Sequence, residues 1–353
     1  MNVRRLIPTA ATAATAGAVT LGLLAVSACS TSDAASVDGA GDGKLKVAAS
    51  FYPMQYLAEQ IGGDNVSVTT LTKPGVEPHD LELKPRQTAE LNDSGLILYL
   101  KGVQPAVDKA IDQASVKYKV DATTLTQLKT FDTSGGHDHG HGHEEAGHEE
   151  GHEEAGHGHE EAGHEEGHEE AGHEDHEAAP NADPHIWLDP VKYAEVAKGV
   201  GAQMEKADPD NAADYKKNTD ALVAKLTALH TDFDKGLKNS ATKTFITTHS
   251  AFGYLAERYG LKQEGIAGVD PESEPSPARI KELQTIAKED KVTTVFFETL
   301  ASDKTAKTLA KDTGLKTDVL DPLEGITDRS KGDDYVDVMR ANLAALQKAL
   351  GAK

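Results

Sequence analysis

Two series of short apolar runs, each alternating with amphipathic stretches, constrain the fold of this chain more than any other feature. The second series runs from Thr244 to Leu350. The first has apolar runs at 45–49, 66–71, 96–100 and 118–120, separated by helical spacing at 54–61, 85–92 and 105–114. Alternating βα units predict mostly parallel sheets covered by helices. The sequence therefore predicts an α/β protein.

Helical spacing also dominates the segment between the two series. One helix is predicted from Pro190 to Lys206, and a longer one opens at Asp208-Pro209 and extends to about Leu237. The prediction is two lobes, each with a mostly parallel sheet flanked by helices, joined by one long helix. Their expected limits are 44–207 for the N-terminal lobe, 208–238 for the linking helix and 239–353 for the C-terminal lobe. Such folds bind ligands beyond the carboxyl ends of their strands, which places the expected site in the cleft between the lobes.

The N-terminus has the order of a secretion signal. Arg4 and Arg5 precede an uncharged stretch that ends in small residues before Cys29, the only cysteine of the chain. This arrangement resembles a bacterial lipobox and predicts a lipoprotein signal peptide at 1–28. Cys29 is then the lipidated mature N-terminus, and 29–43 is a flexible tether. The alternatives are a signal cut elsewhere that leaves an idle thiol, or a retained membrane anchor.

A repeated insert interrupts the N-terminal lobe at 135–178. The segment HEEAGHEEGHEEAGH at 143–157 recurs at 159–173 with almost no apolar side chains, which predicts a disordered loop. We interpret the insert as a weak, multi-site zinc collector, with an acidic spacer as the alternative. Its H-E-x-x-H matches lack the apolar helix face that a zinc protease needs. The insert holds 12 of the 16 histidines: His137, His139, His141, His143, His148, His152, His157, His159, His164, His168, His173 and His176.

The same insert accounts for most of the formal net charge of −22. It contains 14 Glu and 2 Asp, and the rest of the chain has 42 acidic against 36 basic residues. The body of the protein has no basic stripe that would follow a phosphate backbone, so nucleic-acid binding is not expected. It also has no G-x-x-x-x-G-K-[ST] loop with which to hydrolyse ATP.

Three of the four remaining histidines lie in distinctive contexts. His79 follows the second predicted strand in PGVEPHDLEL, His185 lies in DPHIWLDP after the insert, and His249 ends a strand in FITTHSAFGY. Asp321 ends the last strand of the second lobe in VLDPLEG. Three imidazoles and one carboxylate suit tetrahedral Zn²⁺. The fourth histidine, His230, falls within the long helix and is predicted to be a surface residue.

These four motifs resemble the zinc and manganese family of substrate-binding proteins of ABC importers, and the similarity covers nearly all of 44–353. The resemblance implies metal held between two lobes bridged by a rigid helix, with His79, His185 and His249 as imidazole ligands. Asp321 matches the carboxylate that completes the site in some members, and Glu77 matches an acidic residue near zinc in others. Whether Asp321, Glu77 or water takes the fourth position stays open. Manganese members have Glu where this chain has His249, which favours zinc.

The resemblance implies a non-enzymatic zinc carrier at the outer face of a bacterial cytoplasmic membrane. It is expected to be a monomer, anchored through lipid on Cys29, that delivers Zn²⁺ to an ABC permease driven by a separate ATPase. A manganese or iron carrier is the alternative within this class. From other classes, the alternatives are an adhesin or a metallohydrolase with Glu77 as general base.

Overall fold

The computed structural model describes residues 43–131 and 182–353, and these residues form alternating strands and helices as the sequence predicts. The N-terminal series is β1 (Leu45–Ala49), α1 (Tyr52–Gly62), β2 (Val66–Thr70), α2 (Pro85–Asn92), β3 (Leu96–Tyr99), α3 (Pro105–Gln113), β4 (Tyr118–Asp121) and α4 (Pro190–Ala207). The C-terminal series is α5 (Ala212–Leu237), β5 (Thr244–Thr247), α6 (Gly253–Arg258), β6 (Lys262–Gly265), α7 (Pro277–Glu289), β7 (Thr294–Phe297), α8 (Lys304–Thr313), β8 (Lys316–Val319) and α9 (Tyr335–Leu350).

The strands form two four-stranded sheets with the same topology. Their orders are β2-β1-β3-β4 and β6-β5-β7-β8, and every neighbouring pair is parallel. In each sheet the first strand in sequence is an inner strand. In β1, for example, Val47 pairs with Val68 of β2 on one side and with Leu96 of β3 on the other. The predicted pair of parallel α/β lobes is confirmed.

Alternation along the strands divides the apolar side chains between two faces of each sheet. Val47 and Ala49 of β1 enter a large central core, whereas Ala48 packs with residues of α2 and α3 on the outer face. In the second sheet, Phe245 faces the central core and Ile246 faces the residues of α7 and α8. Both faces of both sheets are therefore covered, as parallel sheets require.

The long helix α5 contributes to the central core with residues at helical spacing. Leu222, Leu226, Leu229 and Phe233 are all buried there. Its 26 residues extend about 39 Å at a rise of about 1.5 Å per residue. The helix begins four residues later than predicted, because Pro209–Asn211 forms a 3₁₀ turn first. The same core contains residues of both sheets and of α9, so one apolar interior joins the two lobes.

Several predictions fall on residues that the structure does not describe. The signal peptide at 1–28, Cys29 and the 135–178 insert lie outside the described ranges. Within 43–131 and 182–353, no helix combines the length and the apolar character needed to span a membrane.

Candidate metal centre

Four side chains from separate segments of the chain bring their donor atoms together at the meeting of the two lobes. His79, His185, His249 and Glu324 place one nitrogen or oxygen atom each within 4.8 Å of one another. Glu324 Oε1 is the common neighbour. It lies 3.3 Å from Nε2 of both His79 and His185, and 3.4 Å from Nε2 of His249.

The three distances from Glu324 Oε1 to the imidazole Nε2 atoms fit edges of a zinc tetrahedron. Zinc bonds of about 2.0–2.2 Å to imidazole nitrogen and carboxylate oxygen give edges of about 3.3–3.5 Å between ligand atoms. Three imidazoles and one carboxylate are also a donor set that suits Zn²⁺ better than it suits harder cations, because harder cations prefer oxygen donors. The distances from Glu324 to the imidazoles and the chemistry of the four donors therefore both suit zinc.

Each lobe supplies two of the four groups. His79 lies in the connection from β2 to α2, and His185 directly precedes a 3₁₀ turn that leads into α4. His249 follows β5 by two residues, and Glu324 follows β8 by five. Since the carboxyl ends of parallel strands meet at one edge of a sheet, these connections bring donors from both sheets to a common point.

Three of the four donor side chains are fully buried, and the fourth is nearly so. The side chains of His185, His249 and Glu324 are fully shielded, whereas the side chain of His79 is 11% exposed. Trp187 packs beside the site, with its ring centroid 5.1 Å from that of His185, and donates its indole N–H to the carbonyl of Pro322 at 2.7 Å. A low-dielectric surrounding of this kind strengthens electrostatic interactions inside it.

Two buried carboxylates support the imidazoles from behind. Asp183 Oδ1 lies 2.7 Å from Nδ1 of His185 and accepts the backbone N–H of His185 at 2.9 Å. Glu298 Oε1 lies 2.6 Å from Nδ1 of His249 and accepts its backbone N–H at 3.2 Å. An acceptor at Nδ1 holds the proton there and leaves the Nε2 lone pair directed at a metal. Both Nε2 atoms face the shared donor cluster.

Charges inside this pocket move the pKa values in opposite directions. Burial lowers the pKa of His185, but the Asp183 charge and hydrogen bond and the Glu324 hydrogen bond outweigh it and raise the pKa above its ordinary value. Glu298 and Glu324 likewise outweigh burial and raise the pKa of His249 well above its ordinary value. Burial opposes ionisation of Glu324, yet the surrounding imidazoles hold the pKa of that carboxyl well below its usual range.

Asp321, expected from the sequence as a fourth donor, is not part of the group that the described residues form. Its Oδ1 atom accepts the backbone N–H of Leu323 at 2.9 Å, and Oδ2 accepts the hydroxyl of Ser330 at 2.7 Å. The side-chain oxygen of Asn342 accepts the backbone N–H of Asp321, and its side-chain nitrogen donates to the Asp321 carbonyl. These contacts fix the loop in which Leu323 adopts a positive φ of 59°, and Glu324 follows directly. Asp321 shapes the loop that carries the donor.

Glu77, the other candidate for the fourth position, lies on the His79 side of the centre. Its Oε1 atom accepts the backbone N–H of His79 at 3.1 Å, and Oε2 is buried without a hydrogen-bond partner among the described residues. Burial and the Glu324 charge raise the pKa of Glu77 to about 8. Glu77 therefore borders the donor group without joining it.

The remaining histidines have separate positions. His230 of α5 is half-buried and stacks on Tyr259, with its Nδ1 atom 3.2 Å from the tyrosine hydroxyl. His230 therefore keeps part of its surface exposed, and Tyr259 covers the rest. The 12 histidines of the insert lie outside the described ranges.

Sequence reasoning missed Glu324, Asp183 and Glu298. Glu298 directly follows β7, so the strand-end rule that selected His249 also applies to it. Asp183 stands two residues before His185, a spacing at which an Asp side chain accepts a nearby backbone N–H. Glu324 had a weaker signal, because its placement depends on the turn at Leu323.

Comparison with known proteins gives the same picture over the whole fold. A family model described as "Zinc-uptake complex component A periplasmic" (ZnuA) matches residues 47–349. The High-affinity zinc uptake system protein ZnuA of Bacillus subtilis (strain 168) is 39% identical over 337 residues, which are 94% of this chain and 95% of that protein. The Zinc-binding lipoprotein AdcA of Streptococcus pneumoniae serotype 4 is 35% identical over 314 residues, 87% of this chain.

That alignment spans 56% of AdcA, so the chain matches about half the length of that relative. The solved Zn(II)-bound ZnuA-like domain of Streptococcus pneumoniae AdcA is 30% identical, with a TM-score of 0.65 over 87% of this chain and 99% of the domain. With a family model matched from residue 47 to residue 349, this chain belongs to the ZnuA family of periplasmic zinc-uptake components.

Proposed function

We propose that this protein is the extracytoplasmic zinc-binding component of an ABC metal importer. The observation that carries the proposal is the convergence of three imidazole Nε2 atoms on Glu324 Oε1 at 3.3–3.4 Å, with two donors from each lobe. Zn²⁺ is the cargo. Its ligands in this proposal are His79, His185, His249 and Glu324.

The donor set determines the preference for zinc. Three neutral imidazoles supply borderline nitrogen donors, and Glu324 supplies a negative charge. Asp183 and Glu298 fix the tautomers of His185 and His249 and compensate part of the metal charge. Manganese and iron(II) prefer more oxygen donors, so a carrier for those metals is disfavoured.

Four protein donors complete a tetrahedral zinc site. Catalytic zinc sites instead keep a position open for water or substrate. This arrangement supports a binding protein over a metallohydrolase, and Glu77 has no role as a general base in the proposal.

Delivery requires partners that act after capture. The loaded protein is proposed to dock, as a monomer, on a membrane permease powered by a separate ATPase. Lipid on Cys29 is proposed to hold it at the outer face of the bacterial cytoplasmic membrane. Two acyl chains suffice for stable anchoring, since each buried methylene contributes about 0.8 kcal/mol. The insert at 135–178 is proposed to collect zinc weakly through its clustered histidines.

Isothermal titration of the protein without residues 1–28 tests the assignment. The wild type should bind one zinc tightly and several more weakly. Combined replacement of His79, His185 and His249 by Ala should abolish the tight event alone. His230→Ala is the matched control and should keep it. Retention of the tight event in the triple variant would refute the proposed site. Growth under zinc limitation, restored by wild type but not by the triple variant, tests the link to uptake.

A further inference from the structure

We propose that Tyr254 is a positioning residue for zinc binding, which acts through Asp183 on His185. The proposal rests on the proposed function. Tyr254 belongs to α6 of the C-terminal lobe, five residues after His249, and is 1% exposed. Its hydroxyl reaches the two chain segments that flank residues 132–181.

The hydroxyl of Tyr254 bonds to both flanking segments at once. It accepts the backbone N–H of Lys129 at 2.8 Å and donates to the backbone carbonyl of Asp183 at 2.8 Å. The Asp183 N–H in turn donates to the Lys129 carbonyl at 2.9 Å. One tyrosine hydroxyl therefore joins the points where the chain leaves and re-enters the described N-terminal lobe.

Asp183 connects this junction to the metal centre. Its backbone is held by Tyr254 and Lys129, and its Oδ1 atom holds both the backbone N–H and the Nδ1 atom of His185. The direction of the His185 Nε2 lone pair thus depends on where the Asp183 backbone is fixed. A supporting partner of this kind affects metal affinity without contacting the metal.

Close packing limits how far the junction can shift. The ring of Phe131 lies edge-on to Tyr254, with centroids 4.8 Å apart. A methyl group at Gly253 would come within 2.5 Å of the Phe131 ring and 3.0 Å of Asp183 Oδ2. Lys129 also forms an ion pair with Glu257 at 2.8 Å. The aromatic ring of residue 254 can stay in place when its hydroxyl is removed, so the hydroxyl can be tested alone.

Tyr254→Phe is the test variant, and Tyr215→Phe is the matched control. Tyr215 of α5 is also buried, and its hydroxyl donates one hydrogen bond to Asp208 Oδ2 at 2.6 Å, which the Phe variant loses. Tyr254→Phe should raise the Kd of the tight zinc site about tenfold, at the lower end of the effect of losing an outer partner. Tyr215→Phe should leave the Kd within about twofold, even if both variants lower the apo Tm. Equal zinc affinity of Tyr254→Phe and wild type would overturn the proposal.

A double-mutant cycle distinguishes positioning from general loosening. Asp183→Asn acts on the same imidazole as Tyr254→Phe, so their effects on the zinc Kd should be non-additive. Glu298→Gln acts on His249 instead. The fold-change in Kd that it causes should therefore multiply with that of Tyr254→Phe, which means that the two binding free-energy changes add. Additive effects in the Asp183 pair would refute the route through His185. The d–d absorption of bound Co²⁺ should change in Tyr254→Phe and stay unchanged in Tyr215→Phe.

The outcomes also separate this inference from the proposed function. If the wild type shows no tight zinc site, the proposed function fails and the Tyr254 inference falls with it. If the wild type binds zinc tightly and Tyr254→Phe binds it equally well, only the inference fails.

Discussion

Replacing Glu324 by Gln removes a negative charge that lies within 3.4 Å of all three imidazole Nε2 atoms. The side-chain volume is retained, so the change acts mainly on donor charge. Loss of a supporting residue outside the ligand shell already costs about 10–100-fold in metal affinity. We therefore expect the zinc Kd of Glu324→Gln to rise by about 100-fold or more.

The thermal consequence follows from mass action. Zinc at 1,000 times the wild-type Kd stabilises the folded protein by about 4.1 kcal/mol, and a Kd raised 100-fold reduces this to about 1.4 kcal/mol. The difference of about 2.7 kcal/mol corresponds to a zinc-induced Tm shift smaller by about 5–10 °C, at about 2–4 °C per kcal/mol. Calorimetric melting with and without zinc measures it.

Asp321→Asn is the control within the same loop. Asp321 accepts from Leu323 and Ser330 and borders the centre without joining the donor group, so its replacement should lower apo stability and change the zinc Kd by less than about tenfold. Loss of the tight site in Asp321→Asn, with a normal Kd in Glu324→Gln, would refute the choice of Glu324.

Three further predictions follow from the centre and its surroundings. His249→Glu replaces an imidazole with an oxygen donor and should weaken zinc and relatively favour manganese in competition titrations; unchanged zinc affinity would remove His249 from the site. Deleting 135–178, which keeps Phe131 and Asp183, should remove the weak zinc sites and leave the tight one in calorimetry. The Asp183 and Glu324 carboxylates raise the pKa of His185 in the folded apo protein. The resulting stability is fully present below the unfolded-state pKa of about 6.5, and it is lost as pH rises through the higher folded-state pKa. Zinc displaces these protons, so the zinc-induced Tm shift should grow with rising pH; a shift that is constant from pH 6 to 8.5 would contradict this.

Most of the fold could be predicted from the sequence because its signals are local. The predicted starts at Pro85, Pro105 and Pro190 are the starts of α2, α3 and α4, because proline is favoured at the first helical position. The apolar runs of the first series match β1 to β4 to within one residue at every end. Asp208-Pro209 marks the start of the long helical segment as predicted, although its first turn is 3₁₀ and α5 itself begins at Ala212.

The metal centre was predictable only in part, for a different physical reason. His79, His185 and His249 stand in recognisable turns and strand ends. The placement of Glu324, which was not among the predicted candidates, depends on the backbone after Asp321, where Leu323 adopts a positive φ that residues other than Gly rarely take. Tertiary contacts from Ser330 and Asn342 hold that turn, and such contacts leave no local signature.

The apolar interior shared by both sheets has a consequence for how the protein opens. Val47 of β1, Phe233 of α5 and Phe245 of β5 belong to one core, so separating the sheets would expose the same surface as unfolding much of the molecule. Segments that share a core and unfold together also exchange their amide hydrogens with solvent together. Zinc that binds at the edge of this core should slow exchange in β1 and β5 alike, including amides of inner strands that make no contact with the ion.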